Sequence, residues 1–184
     1  MTPAQIWAVD FEFGGPPGAP EVRCLVAHEI RSRKTLRLWR DEFPKRRAPY
    51  DCGEGSLVIA YYASAEIGCH LALGWPLPMN VIDLYAEFRI ETNGLTLPHG
   101  SGLLGALAYY GEPAIEAAEK KEMRTLALRG HVYSAPERRA LLDYCESDVR
   151  GLVKLWNQME PTLRPNPRRG HALLRGRYMT AAAA

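Results

Sequence analysis

No apolar run in this chain approaches the ~18 residues that a membrane-crossing helix needs, so no such helix is expected. The opening residues, Met-Thr-Pro-Ala-Gln-Ile-Trp, carry neither a basic n-region nor a cleavable apolar h-region, which argues against secretion. Cysteine is sparse. Cys24, Cys52, Cys69 and Cys145 show no CxxC pair and no Cys/His spacing of a zinc site. Scattered thiols of this kind fit a reducing compartment, and a cytoplasmic setting is expected. No internal repeat or low-complexity block is present apart from Ala181–Ala184. Acidic residues are missing from Pro161 onward, where Arg164, Arg168, Arg169, Arg175 and Arg177 stand unopposed. Removing those five from the 23 basic side chains leaves 18 against 21 acidic, a balance of −3. A basic tail on a mildly acidic body fits a nucleic-acid binder whose own site is acidic, and a solvated tail explains the charge equally well.

What is present is ordinary for a soluble globular protein: 184 residues, 47% hydrophobic and 24% charged. That length supports one domain with a sizeable core. Gln5–Phe13 reads as a strand closed by the breaker Gly14-Gly-Pro-Pro-Gly18. Arg23–Ile30 and Thr35–Trp39 read as a hairpin around the polar turn Arg31–Lys34. Ser56–Tyr61 is a buried strand, Ala63–Leu73 a helix stopped by Gly74 and Pro76, and Asn80–Leu84 a short strand running into a helix over Tyr85–Ile90. The chain from Gly102 to Arg129 is largely helical, with a break near Gly111-Glu-Pro113. Ser134, with Glu137 three residues on, starts a long helix through Trp156. Three strands, then strand–helix–strand, then helices predict an α/β layered domain with a mixed sheet. The domain is expected to span 1–160, with 161–184 a Pro-rich linker and the start of a helix over His171–Thr180, truncated from something longer.

One residue in the long helix breaks its own pattern. With Leu141 at zero and ~100° per residue, Leu152, Cys145, Trp156 and Leu155 share one face, and Asp143, Glu146, Arg150 and Lys154 the other. Asp148 falls among the leucines, and Tyr144, one turn earlier, sits beside it. An ionised carboxylate on an apolar face is costly unless a cation or several donors meet it.

Other acids fall where they could supply that partner. Asp10 and Glu12 alternate with Val9 and Phe11, so they share a sheet face with Ile6 and Ala8. Glu66 lies in the first turn of the helix after the buried strand and is the only acid between Glu54 and Asp83. The helix dipole explains an acid there equally well. Asp83 follows a short strand, and a helix N-cap role accounts for it. Oxygen ligands without Cys or His suit Mg2+ or Mn2+. Four carboxylates on one sheet edge can hold two such ions ~3.5–4 Å apart, the arrangement used in phosphodiester cleavage.

Val9-Asp-Phe-Glu-Phe13, Ile59-Ala-Tyr-Tyr-Ala-Ser-Ala-Glu66 and Tyr144-Cys-Glu-Ser-Asp148 together resemble the three motifs of the DEDD superfamily of 3′–5′ exonucleases, in its tyrosine-bearing branch. Residues 80–89 and 122–130, with Leu173–Met179, are similar to exonuclease domains of phage-like family A DNA polymerases. The resemblance implies a ribonuclease-H-like mixed five-stranded sheet flanked by helices. It implies proofreading-type removal of nucleoside 5′-monophosphates from a single-stranded DNA 3′ end, in a bacterial or phage-infected cell, with a polymerase domain covalently attached. Two ions, Mg2+ or Mn2+, are implied: Asp10 bridges both, Glu12 and Asp148 hold the first, and Glu66 supports the second. Tyr144 aligns the attacking water, and the histidine branch is set aside because the last-motif helix contains no histidine. Phe11, Phe13 and Tyr62 are the implied substrate contacts. Two departures stand out: Glu66 replaces the usual aspartate, and Tyr62 replaces the asparagine four residues before it. An exoribonuclease on the same site and a weakened nucleic-acid-binding remnant are the alternatives. His70, His99 and His131 read as surface or core histidines, and Trp75 as core or as an exposed stacking residue.

Overall fold

The computed structural model of the chain describes residues 2–16, 18–112, 117–130 and 132–183. Of the residues named above, Met1, Pro17, Pro113, His131 and Ala184 lie outside that description. Strand β1 (Gln5–Gly14) sits at the centre of a five-stranded sheet of order β3-β2-β1-β4-β5. Its neighbours are β2 (Glu21–Glu29), antiparallel, and β4 (Ser56–Ala60), parallel. β3 (Lys34–Trp39) completes the hairpin on one edge, and β5 (Val81–Asp83) runs parallel to β4 on the other. Chain order explains this layout, because a short polar turn returns the strand antiparallel and a helical crossover returns it parallel. The mixed sheet flanked by helices is the one expected.

Both faces of β1 are covered, and its alternation sorts the core. Ile6 and Ala8 pack with Cys24, Val26, Leu57 and Ile59 under Leu141, Cys145, Val149 and Leu152 of α5 (Ala135–Leu163). Trp7, Val9 and Phe11 pack on the other side with Val58, Trp75 and Cys69, the last from α1 (Ala63–Leu73). All five residues of β4 are buried, as a strand sandwiched between helices requires. The β1–β2 register shifts between Glu12 and Phe13, so Glu12 faces Cys24 while Phe13 faces Val22. A bulge here re-aims side chains at the carboxyl end of the central strand.

Helix boundaries follow local chemistry. α1 ends on Gly74, which takes the left-handed conformation at φ 63°. α5 begins in a capping box: the Glu137 carboxylate accepts the Ser134 N–H at 2.8 Å, and Ser134 Oγ accepts the Glu137 N–H at 3.4 Å. Between α1 and α5 lie α2 (Leu84–Glu91), α3 (Leu103–Tyr109) and α4 (Ala117–Arg129). The long helix was expected to stop near Trp156. It continues through Pro161, because Met159 and Leu163 are buried and extend its apolar face, and proline near the last turn breaks little of the ladder.

Arg168–Ala183 forms α6, packed along β5 and α1. A Cβ added at Gly176 would sit 1.9 Å from the Val81 carbonyl oxygen, so the helix lies directly on the edge strand. Arg175 holds it there through two hydrogen bonds, at 2.7 and 2.6 Å, to the buried carboxylate of Glu87. Covering an edge strand in this way removes a surface for unwanted strand pairing. Among the described residues, no helix is long and apolar enough to cross a membrane.

Candidate active site

Asp10 and Glu12 leave β1 on the α5 face, where Cys145 meets them. The Cys145 thiol donates to Asp10 Oδ2 at 3.2 Å and to the Asp10 carbonyl oxygen at 3.3 Å. One ligand atom each from Asp10, Glu12 and Cys145 lie within 4.8 Å of one another. Asp148 is 7% exposed, on the buried face of α5 as its position on the helical wheel requires. The Tyr144 hydroxyl, one turn earlier, donates to it. Burial first, then the charges of Asp148, Glu12 and Asp10, raises the Tyr144 hydroxyl far above the usual phenol range. Asp10 and Asp148 open onto one cavity of about 420 Å³, with Tyr61, Tyr62 and Tyr85 on its wall.

Glu66 approaches from the opposite helix. It occupies the first turn of α1, is 6% exposed, and its Oε2 has no hydrogen-bond partner among the described residues. Burial, then the charge of Asp10, raises its carboxyl well above the usual range. The Cys69 thiol, also on α1, is raised by burial and then by Glu66, Asp10 and Glu12. Cys69 thus feels Asp10 and Glu12 with Glu66, and Tyr144 feels the same pair with Asp148. The four carboxylates are drawn together from β1, α1 and α5 around Asp10.

Such a cluster without a counterion is electrostatically unfavourable, since like charges in a partly dry site oppose one another's ionisation. A hard divalent cation relieves that repulsion, and the donor set fits one. Glu66 Oε2, buried without a hydrogen-bond partner, is the observation that most directly asks for it.

Other expected residues separate. Tyr62 lines the cavity, 53% exposed, in the left-handed conformation at φ 73°. Phe11 does not reach the cavity. Strand alternation turns it to the far side of the sheet, where it is 4% exposed and packs on His70 and Trp75. Phe13, half-buried, faces a different cavity with Gly14, Pro20 and Leu128. Trp75 is a core residue whose indole N–H donates to the Pro44 carbonyl at 2.9 Å, so it is not a stacking residue. His70 is likewise a satisfied core histidine, between the Tyr50 hydroxyl at 2.5 Å and the Pro76 carbonyl at 2.9 Å.

Two contributions went unrecognised in the sequence. Cys145 was visible as an apolar-face residue, and only the stacking of α5 on β1 puts its sulfur against Asp10. Asp83 caps α2, as its position implied, by accepting the Tyr85 N–H at 3.0 Å, and the same Oδ1 accepts the Tyr62 N–H at 3.0 Å. It therefore holds the turn between β4 and α1 as well, doing for Tyr62 what an N-cap side chain would.

The fold has counterparts among solved structures. A nuclease in its apo form superposes with a TM-score of 0.69 at 17% identity, over 98% of this chain and 83% of the nuclease. Brucella melitensis NrnC with bound Mg2+ gives 0.67 at 16% identity, over 97% of this chain and 83% of its own. Escherichia coli RNase D, an exoribonuclease involved in structured RNA processing, gives 0.60 at 16%, over 97% of this chain and 44% of its own. No protein-family model matches the sequence, and no curated protein matches it either. The chain shares the fold of these nucleases, a mixed five-stranded sheet flanked by helices.

Proposed function

We propose that this protein is a metal-dependent 3′–5′ exonuclease of the tyrosine-bearing branch, releasing nucleoside 5′-monophosphates from single-stranded 3′ ends. The observation that carries the reading is the meeting of Asp10 and Glu12 with Asp148 and Tyr144, while Glu66 stands buried beside Asp10 with an unpartnered oxygen. Asp10, Glu12 and Asp148 would hold one divalent ion, and Asp10 with Glu66 a second. When bound, the ions activate the attacking water and stabilise the departing 3′ oxygen.

The chain's own residues supply the rest. Burial and three neighbouring carboxylates oppose ionisation of the Tyr144 hydroxyl and favour its phenol form. Its O–H can therefore keep a proton in place to orient a water toward the scissile phosphate. Tyr62 presents an exposed ring beside Asp10 and Asp148, placed to stack on the terminal base. A glutamate at position 66 is one methylene longer than the aspartate it replaces and still presents a carboxylate oxygen, here buried, to a metal.

DNA in a proofreading role, joined to a polymerase, is the substrate reading that the motif resemblance favours. The likeness to RNase D favours RNA as a second reading on the same site. The test uses 5′-labelled single-stranded DNA and RNA of one sequence, in Mg2+, Mn2+ or EDTA, resolved as ladders. Stepwise shortening from the 3′ end, abolished by EDTA and by Asp148→Ala, is expected, and the faster of the two ladders names the substrate. Intact DNA and RNA in both metals would overturn the proposal.

A further inference from the structure

The five arginines past residue 160 do not share one role. Arg164 and Arg169 are both held by the Glu160 carboxylate, at 2.7 and 3.1 Å, and Arg175 by Glu87 at 2.6 Å. Arg168 and Arg177 are exposed, and their side chains make no hydrogen bond or ion pair among the described residues. Turning α6 at ~100° per residue puts Ala172, Gly176 and Ala183 on the face against β5 and α1. Leu174 and Tyr178, 65% and 71% exposed, lie one turn apart at the centre of the opposite face. Arg177 stands on one flank of that stripe and Arg168 on the other, with His171 exposed between. No acid occurs from Pro161 to Ala184, so nothing on the helix neutralises this face. An open aromatic ring flanked by unpaired cations suits a single-stranded nucleic acid, the ring for a base and the cations for phosphates.

The helix also leads to the catalytic end of the sheet. Near its start, Arg169 and Leu173 line a cavity with Ile6 and Ser56, at the amino ends of β1 and β4. At its other end, Ala183 lines a second cavity with Phe13, Ser64 and Ala65, the last adjacent to Glu66. α6 therefore climbs from the far edge of the sheet to the edge that holds the carboxylates. We infer that the outer face of α6 is an exosite for single-stranded nucleic acid, on which Arg168 and Arg177 hold phosphates and Tyr178 stacks on a base. It takes the part of the strand lying 5′ of the end held at Asp10 and Asp148, and so rests on the exonuclease reading. Sixteen residues of helix extend ~24 Å, which roughly seven phosphates follow at ~3.4 Å each along one strand. A trinucleotide fills the catalytic cavity alone, whereas a 16-nucleotide strand covers the helix as well.

The test compares the wild-type chain with a variant carrying Arg168→Gln, Arg177→Gln and Tyr178→Ala, all exposed positions. Fluorescence anisotropy in EDTA reads binding of a labelled 16-nucleotide strand, and Mg2+ kinetics read cleavage of that strand and of a trinucleotide. The variant is expected to bind the 16-nucleotide strand at least tenfold more weakly. Its slope of log K against log salt should fall by ~1.4, the share of two phosphate contacts on a single strand. Trinucleotide kcat and KM should stay within twofold of wild type, and Arg168→Lys with Arg177→Lys should keep the wild-type slope. A wild-type chain that does not bind the long strand, or a variant that binds it within twofold of wild type, would overturn the inference. Equal losses on the two lengths would do the same, and so would a wild-type dimer that the variant splits without losing strand affinity, since the face would then join two copies. A long strand bound through α6 and left uncut in Mg2+ and Mn2+ would count against the exonuclease reading alone. A variant that binds and cuts both lengths like wild type would count against the exosite alone.

Discussion

Asp83 joins the two helices that flank the cavity. Its Oδ1 accepts the N–H groups of Tyr62 and Tyr85 at 3.0 Å each and of Ala86 at 3.5 Å, and the Ala63 N–H also points to the carboxylate. Asp83→Ala therefore strips the caps from α1 and α2 together. One cap is worth ~1 kcal/mol and up to ~2, so two come to ~2–4 kcal/mol. The carboxyl is also 1% exposed, its Oδ2 has no hydrogen-bond partner among the described residues, and burial raises it above the usual range. Removing that buried charge offsets part of the loss, leaving a net cost of ~2–3 kcal/mol. In a chain of this size that lowers Tm by ~4–12 °C.

The isostere separates capping from charge. Asp83→Asn keeps an oxygen where Oδ1 stands and puts the amide where the unpartnered Oδ2 was, so its cost is expected below ~1 kcal/mol. Function should follow the cap. Tyr62 holds a left-handed φ of 73°, which costs a non-glycine residue ~1 kcal/mol or more, and its N–H bond to Asp83 holds that turn together. With alanine at 83 the turn relaxes and carries Glu66, four residues on, away from Asp10. Exonuclease rate in saturating Mg2+ should fall more than tenfold in Asp83→Ala and less than threefold in Asp83→Asn. Urea titration gives the stabilities and the labelled-oligonucleotide ladder the rates. An alanine variant within 0.5 kcal/mol of wild type, or an asparagine variant as costly as alanine, would refute the reasoning.

Glu66→Gln should stabilise the metal-free protein while sharply reducing exonuclease activity. The folded carboxyl is raised, so its ionisation penalises the fold as pH climbs above the ordinary value of 4.5, and the variant's advantage in Tm should vanish in acid and grow toward neutrality; an advantage that is largest in acid would contradict this. Tyr144→Phe should lower kcat ~10–100-fold with the fold intact by circular dichroism, if the hydroxyl orients the water. Gly176→Ala should cost ~1–3 kcal/mol by forcing α6 off β5, where the new methyl would sit 1.9 Å from a carbonyl oxygen, and thermal melts will read it.

Periodicity carried most of the fold. Alternation along Gln5–Phe13 placed Asp10 and Glu12 on one face, and the 3.6-residue repeat of α5 placed Asp148 and Tyr144 on its buried stripe. Both patterns are set by side-chain polarity alone, so the sequence displays them. Partners were a different matter. Nothing local says that Cys145 will lie against Asp10, 135 positions away, because that depends on how α5 crosses the sheet. Asp83 showed its local bond to Tyr85 and hid its long-range one to Tyr62. The misplacement of Phe11 has a simpler origin: membership of a motif drew it toward substrate, although the alternation that aims Asp10 and Glu12 at α5 must turn Phe11 away.

The cluster's dependence on separated elements has an energetic consequence. Asp10 and Glu12 come from β1, Glu66 from α1 and Asp148 from α5, so no part of the chain short of the assembled sheet and helices brings them together. A preformed ion site of this kind does not exist in the unfolded chain, and each ion bound to the native state stabilises it by RT ln(1 + [M]/Kd), about 2.7 kcal/mol at a hundredfold excess over Kd. Without the ion, the same carboxylates oppose one another, and burial of Glu66 adds to that cost. Packing of α5 and α6 against the sheet must therefore supply the stability that holds the site open. This gives the Arg175–Glu87 pair, remote from the chemistry, a bearing on it: what fastens α6 to the β5 side also helps hold α1, and with it Glu66, against the repulsion at Asp10.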